Sequence, residues 1–241
     1  MKMTTAKNPQ TRQDCEVLLT DFVERSKHAK QEICKEVPMT DNPPVFLCVF
    51  QPDKDDFEGD YDQLEEESKE MGLSRVLQVG MIPLVHKPDV YDCLSDLFSM
   101  LPISKFEFAF VAVEGFMDTD PNKWEKIISG DDDVYEHGDM AKDFAENPFT
   151  SIREALVVHG FDWNKELKST VFVPYRYDDK GVPIYEEGTT SIEEIGEDYE
   201  PKGRLEQMVF AGVSFANVKH ATHKFAEKME SMPKKKKKKS E

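Results

Sequence analysis

Apolar residues along this chain fall into short runs set between polar stretches, and their spacing assigns most of the elements. From Thr11 to Lys35 the positions Cys15, Leu18, Leu19, Phe22, Ala29 and Ile33 recur at helical spacing, which predicts an amphipathic helix. Thr11 with Asp14 three residues on reads as a capping box at its start, aspartate replacing the usual glutamate. Pro38, Pro43 and Pro44 end that region, and the apolar run from Val45 to Gln51 then predicts a buried strand. Tyr61 to Met71 fits a short solvent-facing helix. Val76 to Val85 fits a second strand, with Gly80 and Pro83 pointing to a bulge or an edge position. Pro88 suits the first turn of a further helix whose buried face would be Val90, Leu94, Leu97, Phe98 and Leu101.

Phe106 to Phe116 carries the clearest strand pattern. Phe106, Phe108 and Phe110 point one way, and Ala109, Val111 and Val113 the other. A long polar segment, Asp118 to Asn147, reads as a surface excursion. Ile152 to Trp163 alternates with Ala155, Val157, His159, Phe161 and Trp163 on one face. Thr170 to Asp178 continues after a turn near Asn164–Lys168, and Asp179–Lys180–Gly181 turns the chain towards a short strand at Val182 to Tyr185. Glu186 to Glu200, with seven acids and no base, reads as a flexible acidic loop. Arg204 to Met232 ends the pattern: its first half fits either a helix or an alternating strand, and Lys219 to Met232 is helical.

These elements predict an α+β fold, a mainly antiparallel sheet of about five strands with helices packed on one face and the C-terminal helix at an edge. The expected organisation is a disordered N-terminus over residues 1–10, a single domain with acidic loops over 11–232, and a disordered lysine-rich tail over 233–241.

Charge changes this picture more than length does. The 241 residues carry a formal net charge of −17; six lysines at Lys234 to Lys239 and Glu241 make the tail +5, so the body carries −22. Such a body repels nucleic acid and anionic lipid, which leaves the lysine tail as the segment suited to either. It favours a basic protein partner met through the acidic loops. The lysine block itself reads as a solvated end, a localisation signal, a tether, or a segment drawn back onto the acids. No apolar run is long enough to span a bilayer as a helix, and Met1 to Gln13 lacks an apolar signal region, so neither membrane insertion nor secretion is expected. The expected location is cytoplasmic, or nuclear where a eukaryotic host reads the lysine block. Cys15, Cys34, Cys48 and Cys93 lie apart and mostly within apolar runs, the pattern of buried free thiols rather than of a CxxC zinc site.

Recognisable chemistry is sparse. GxSxG, Walker A, GxGxxG and HExxH are all absent, and no cofactor is implied. The acids at Asp53/Asp55/Asp56 and Asp131/Asp132/Asp133 do not form a calcium loop, because counting back from Gly59 or Gly138 puts Lys54, Tyr135 and His137 where oxygen ligands belong. His220 and His223 stand at helical i, i+3 spacing and would share a face, the one candidate metal pair. Glu114 and Glu154 interrupt apolar strands. If those strands pair, Glu114, Arg153, Glu154 and His159 form a candidate carboxylate/His catalytic site.

The Val45–Gln51 run, Phe106–Phe116 with its Glu114-Gly115-Phe116 end, and Arg153-Glu154-Ala155-Leu156-Val157-Val158 together resemble a scattered set of uncharacterised phage and bacterial α+β proteins. The resemblance covers residues 11 to 185 and implies a small α+β domain of viral origin, with no activity attached. Three functions are therefore expected in order: a non-enzymatic acidic binding or accessory protein, an enzyme built on the carboxylate/His residues, and a structural subunit of an assembly.

Overall fold

A computed structural model describes residues 9–52, 54–55, 57, 59–83, 106–120, 122–123, 151–202, 205–214 and 222. The expectations for the Pro88–Leu101 helix, most of the Asp118–Asn147 segment, His220, His223, Cys93, the second half of the last helix and the lysine tail lie outside these residues.

The first element is a helix, α1 (Pro9–Glu36), opened by a proline whose missing N–H costs nothing in a first turn. It is followed by β1 (Val45–Phe50), a short helix α2 (Tyr61–Glu70), β2 (Gln78–Pro83), β3 (Phe106–Asp118), β4 (Ile152–Asp162), β5 (Leu167–Tyr177), β6 (Pro183–Tyr185) and β7 (Thr189–Glu194). Residues 205–214 form a third helix, α3. The seven strands make one sheet in the order β2-β1-β3-β4-β5-β6, with β7 also paired to β5, and every pairing is antiparallel.

The fold is α+β as the patterning requires, but among the described residues the sheet has seven strands rather than about five. The short return read at Val182 to Tyr185 supplies the sixth, β6, and the seventh comes from the segment read as a flexible acidic loop: Thr189–Glu194 pairs along Leu167–Phe172. The two short strands β6 and β7 share one edge of β5. Pro174, which has no N–H to offer a neighbour, falls in the gap between them.

Alternation along β3 to β5 builds two apolar layers. Phe108, Phe110, Ala112, Leu156, Val158, Val171 and Val173 meet Cys15, Leu18, Leu19, Phe22 and Val23 of α1. The opposite face carries Phe46, Cys48, Ala109, Val111 and Phe161 against Val209 and Val213 of α3. The C-terminal helix was expected at an edge. Its described part lies on the second face instead, because the aromatic and β-branched residues there need cover as much as those under α1 do.

The N-terminal capping box does not form. Thr11 lies inside α1, and the fully buried Asp14 instead accepts from Ser74 N (2.6 Å), Ser74 Oγ (2.8 Å) and Arg75 Nε (3.1 Å), tying α1 to the loop before β2. Tight joints elsewhere are made by side chains that replace missing backbone partners. Asp162 closes the β4–β5 turn by accepting from Glu166 N and Leu167 N, both at 2.7 Å. Asp178 closes the next turn by accepting from Lys180 N and Val182 N. At the end of that turn Gly181 has φ 75°, and a Cβ there would lie 2.6 Å from Pro38 Cβ. Only glycine satisfies both demands.

Candidate functional site

The buried face of α1 changes character halfway along. Phe22 continues in steps of four to Ser26, Lys30 and Cys34, all buried, whereas Ala29 and Ile33, the expected continuation, face solvent. A lysine is thereby carried into the core, its side chain only 2% exposed.

What receives it is set by strand register. Glu114 of β3 sits opposite Leu156 of β4, and Glu154 sits opposite Phe116 on β3 and Tyr175 on β5. Even positions of β3 and β4 and odd positions of β5 share the face under α1, so Glu114, Glu154, Tyr175 and Tyr177 gather around the end of Lys30. The Lys30 ammonium lies 2.6 Å from Glu114 Oε1 and donates to Thr40 O at 2.5 Å. It also faces the rings of Tyr175 and Tyr177, at 5.6 and 5.7 Å from their centroids. Glu114 additionally accepts from the Asn42 backbone N–H at 3.0 Å.

Burial pulls the Lys30 pKa down, but hydrogen bonds to Glu114 and Tyr177 and the Glu114 charge outweigh it, so the ammonium is held protonated above its ordinary range. The two carboxylates share this single cation. Burial raises the pKa of Glu114 against its bonds to Lys30 and Asn42. Burial also raises Glu154, with Glu114 and Asp41 repelling its charge while Lys30 and Tyr177 favour it. Both carboxyls are thereby shifted towards their protonated forms. The phenol of Tyr175 is driven far above its usual range by burial and then by the two carboxylates.

Of the four strand residues proposed as a catalytic group, the structure brings two together. Glu114 and Glu154 share the α1 face, whereas Arg153 and His159, at odd positions of β4, lie on the other face of the sheet. The four-residue site does not exist, because neighbours along a strand point to opposite sides. Arg153 Nη1 donates to Ile152 O at 2.8 Å. His159 Nδ1 lies 3.4 Å from Thr170 Oγ1, and its ring meets Phe172 edge-on with centroids 6.0 Å apart.

Lys30, Tyr175 and Tyr177 were not recognised from the sequence. The available signal was the four-residue step from Phe22, which lands on Lys30. Of the sequence's metal candidates, His220 and His223 lie outside the described residues, among which no group of three or more His, Cys, Asp or Glu is placed to hold a metal. The three described cysteines are buried and unpaired, and burial raises the thiol pKa of Cys15 to about 12.

Burial lowers the pKa of His159 from its ordinary 6.5 to about 4, against the attraction of Glu206. Between those values the unfolded chain binds a proton that the folded chain refuses. The stabilisation is complete above 6.5 and is lost as pH falls towards 4, by about 3 kcal/mol in total. Replacing His159 with glutamine should therefore change the wild-type-minus-variant stability difference by about that amount between neutral pH and pH ~4. A difference that stays flat in urea titrations across this range would show that the imidazole titrates normally.

The chemical capacity of the Lys30 site is limited by space. Ser26, Lys30, Asn42, Glu114, Tyr175 and Tyr185 help to line a cavity of about 10 Å³, room for one water and not for an organic substrate. A larger open groove, about 480 Å³, runs between α1 and β6 past Glu24, Lys27, His28 and Ile184. Its lysine is already committed to Glu24 at 2.8 Å and to the Tyr185 ring at 5.3 Å. On the other face, Lys168 Nζ lies 2.9 Å from the buried Glu206, which also accepts from Lys202 N and the Tyr199 hydroxyl. This set fastens α3 to β5.

The fold and site together define an antiparallel α+β protein with helical cover on both faces and a partly buried lysine–carboxylate cluster beneath α1. No family model, no curated protein and no solved structure matches the chain.

Proposed function

We propose that this chain is a non-enzymatic acidic binding protein whose partner is an extended, lysine- or arginine-rich protein segment docking on the β7 edge. The observation that carries this reading is that the most one-sided acidic stretch is an ordered edge. Within it Glu186, Glu187, Glu193, Glu194, Glu197, Asp198 and Glu200 are all exposed, on and around a strand that among the described residues is paired to β5 alone.

Strand geometry supports the same surface. Ile195 N donates to Glu166 O, towards β5, whereas Ile192 O accepts from Arg12 Nη2 at 2.9 Å. Backbone groups alternate along a strand, so those of Thr190 and Glu194 lie on the same side as Ile192 O, away from β5. A guanidinium already resting on that edge is a small version of what a basic strand would do there. An added strand supplies main-chain hydrogen bonds, and the flanking carboxylates select for positive charge. The lysine–carboxylate cluster is assigned a structural role, because its cavity admits no substrate.

The test is titration of a labelled lysine-rich peptide, with a glutamine-substituted peptide as control, at low and high salt. Affinity should fall at least about tenfold as exposed charges are screened, and replacing both Glu193 and Glu194 with glutamine should weaken binding at low salt. Binding indifferent to salt and to these substitutions would reject the reading.

A further inference from the structure

Two of the four buried side-chain atoms without a hydrogen-bond partner among the described residues, Ser26 Oγ and Asn42 Oδ1, belong to residues lining one cavity. Ser26 is 4% exposed and sits on α1 one turn before Lys30. Asn42 sits in the loop that enters β1, and its backbone N–H already holds Glu114. Val45, Ala112 and Leu156 supply the apolar part of the wall.

Leaving two such groups dry inside a protein is costly, and native structures avoid it. The cavity's volume of about 10 Å³ matches the space one water molecule needs. We infer that it holds a single structural water, bound between Ser26 Oγ and Asn42 Oδ1 beside the Lys30–Glu114 ion pair.

The chemistry of the walls selects water over other small species. An amide oxygen accepts only, so the occupant must donate; a serine hydroxyl can donate in return. A metal or ammonium ion would have to sit beside the Lys30 ammonium. A halide would face the Glu114 carboxylate and the amide oxygen. A neutral molecule that both donates and accepts meets neither penalty. It also suits either orientation of the Asn42 amide, since the exchanged NH2 group would simply donate to it.

Placed there, the water is a further tie between α1 and the 40–44 loop, next to the Lys30-to-Thr40 bond.

A high-resolution crystal structure of the full chain tests this directly. The expected result is one isolated density peak within hydrogen-bonding distance of both Ser26 Oγ and the Asn42 side-chain amide. Water-to-protein cross-relaxation in NMR should show the same molecule as long-lived, reaching the Asn42 amide protons. Ser26→Val, which fills the space with a methyl group, should abolish both signals while Lys30 stays bonded to Glu114. A wild-type cavity that is empty, or occupied by an ion, or from which Ser26 has turned to bond a helix carbonyl, overturns the inference even if the valine variant fails to fold.

Discussion

Replacing Lys30 with methionine is expected to destabilise the fold by about 3–5 kcal/mol, although methionine nearly matches the lysine stem in length. The side chain is 2% exposed, and its ammonium serves Glu114 at 2.6 Å and the Thr40 carbonyl at 2.5 Å. Without it, Glu114 and Glu154 remain under α1 with no cation between them, and both must take up protons or carry partly buried unpaired charge. The loss thus comes mainly from what is left behind, and a second substitution should reveal it. Glu114→Gln should cost less in the Lys30→Met background than in the wild type, because there it removes a charge that no longer has a partner. Equilibrium denaturation of the four proteins measures this coupling. A methionine variant within ~1 kcal/mol of the wild type would mean that the ion pair is open to water.

The second large effect is expected at Gly160, where alanine should cost about 3 kcal/mol, at the upper end for overpacking a core. Gly160 is the direct cross-strand partner of Phe110 in the β3–β4 pair. A Cβ there would lie 2.3 Å from Phe110 Cδ1, 2.8 Å from Ala109 O and 2.8 Å from Ser169 Oγ. None of these has an easy retreat. Phe110 is fully buried and packs against Phe22 and Phe108, with centroids 6.3 and 5.9 Å away. The Ala109 carbonyl belongs to the backbone of a central strand. The glycine is required because the phenylalanine ring occupies the place of its side chain. Leucine at position 110 in the alanine variant should recover part of the loss by freeing the ring's space. An alanine variant with an unchanged denaturation midpoint would place the ring elsewhere.

Much of the scaffold was legible in the pattern. The period-two alternation of Phe108 and Phe110 against Ala109, Val111 and Val113 placed β3 and its two faces, since a half-buried strand admits few other patterns. Gly80 and Pro83 pointed to a bulge or an edge position, and among the described residues β2 pairs with β1 alone. Two misreadings share one cause. Thr189–Glu194 has little apolar content, and Lys30 is a charged residue on a helix; both owe their places to partners distant in sequence. β7 is held by the backbone of β5, which has no signature in the composition of β7 itself. Lys30 is tolerated in the core only because Glu114, some eighty residues on, brings a countercharge.

Patterning alone thus settled the α+β class, the long first helix, the apolar faces of the central strands and the strongly negative body, because hydrophobic periodicity and charge are local properties of the chain. Which carboxylates meet which cation was decided only in three dimensions. A one-residue difference in strand position sends a side chain to the opposite face, so Glu154 joins Lys30 beneath α1 while its neighbour Arg153 turns away. Register is set by long-range pairing and by the helices that cover each face, and neither is written in the vicinity of the residues it brings together.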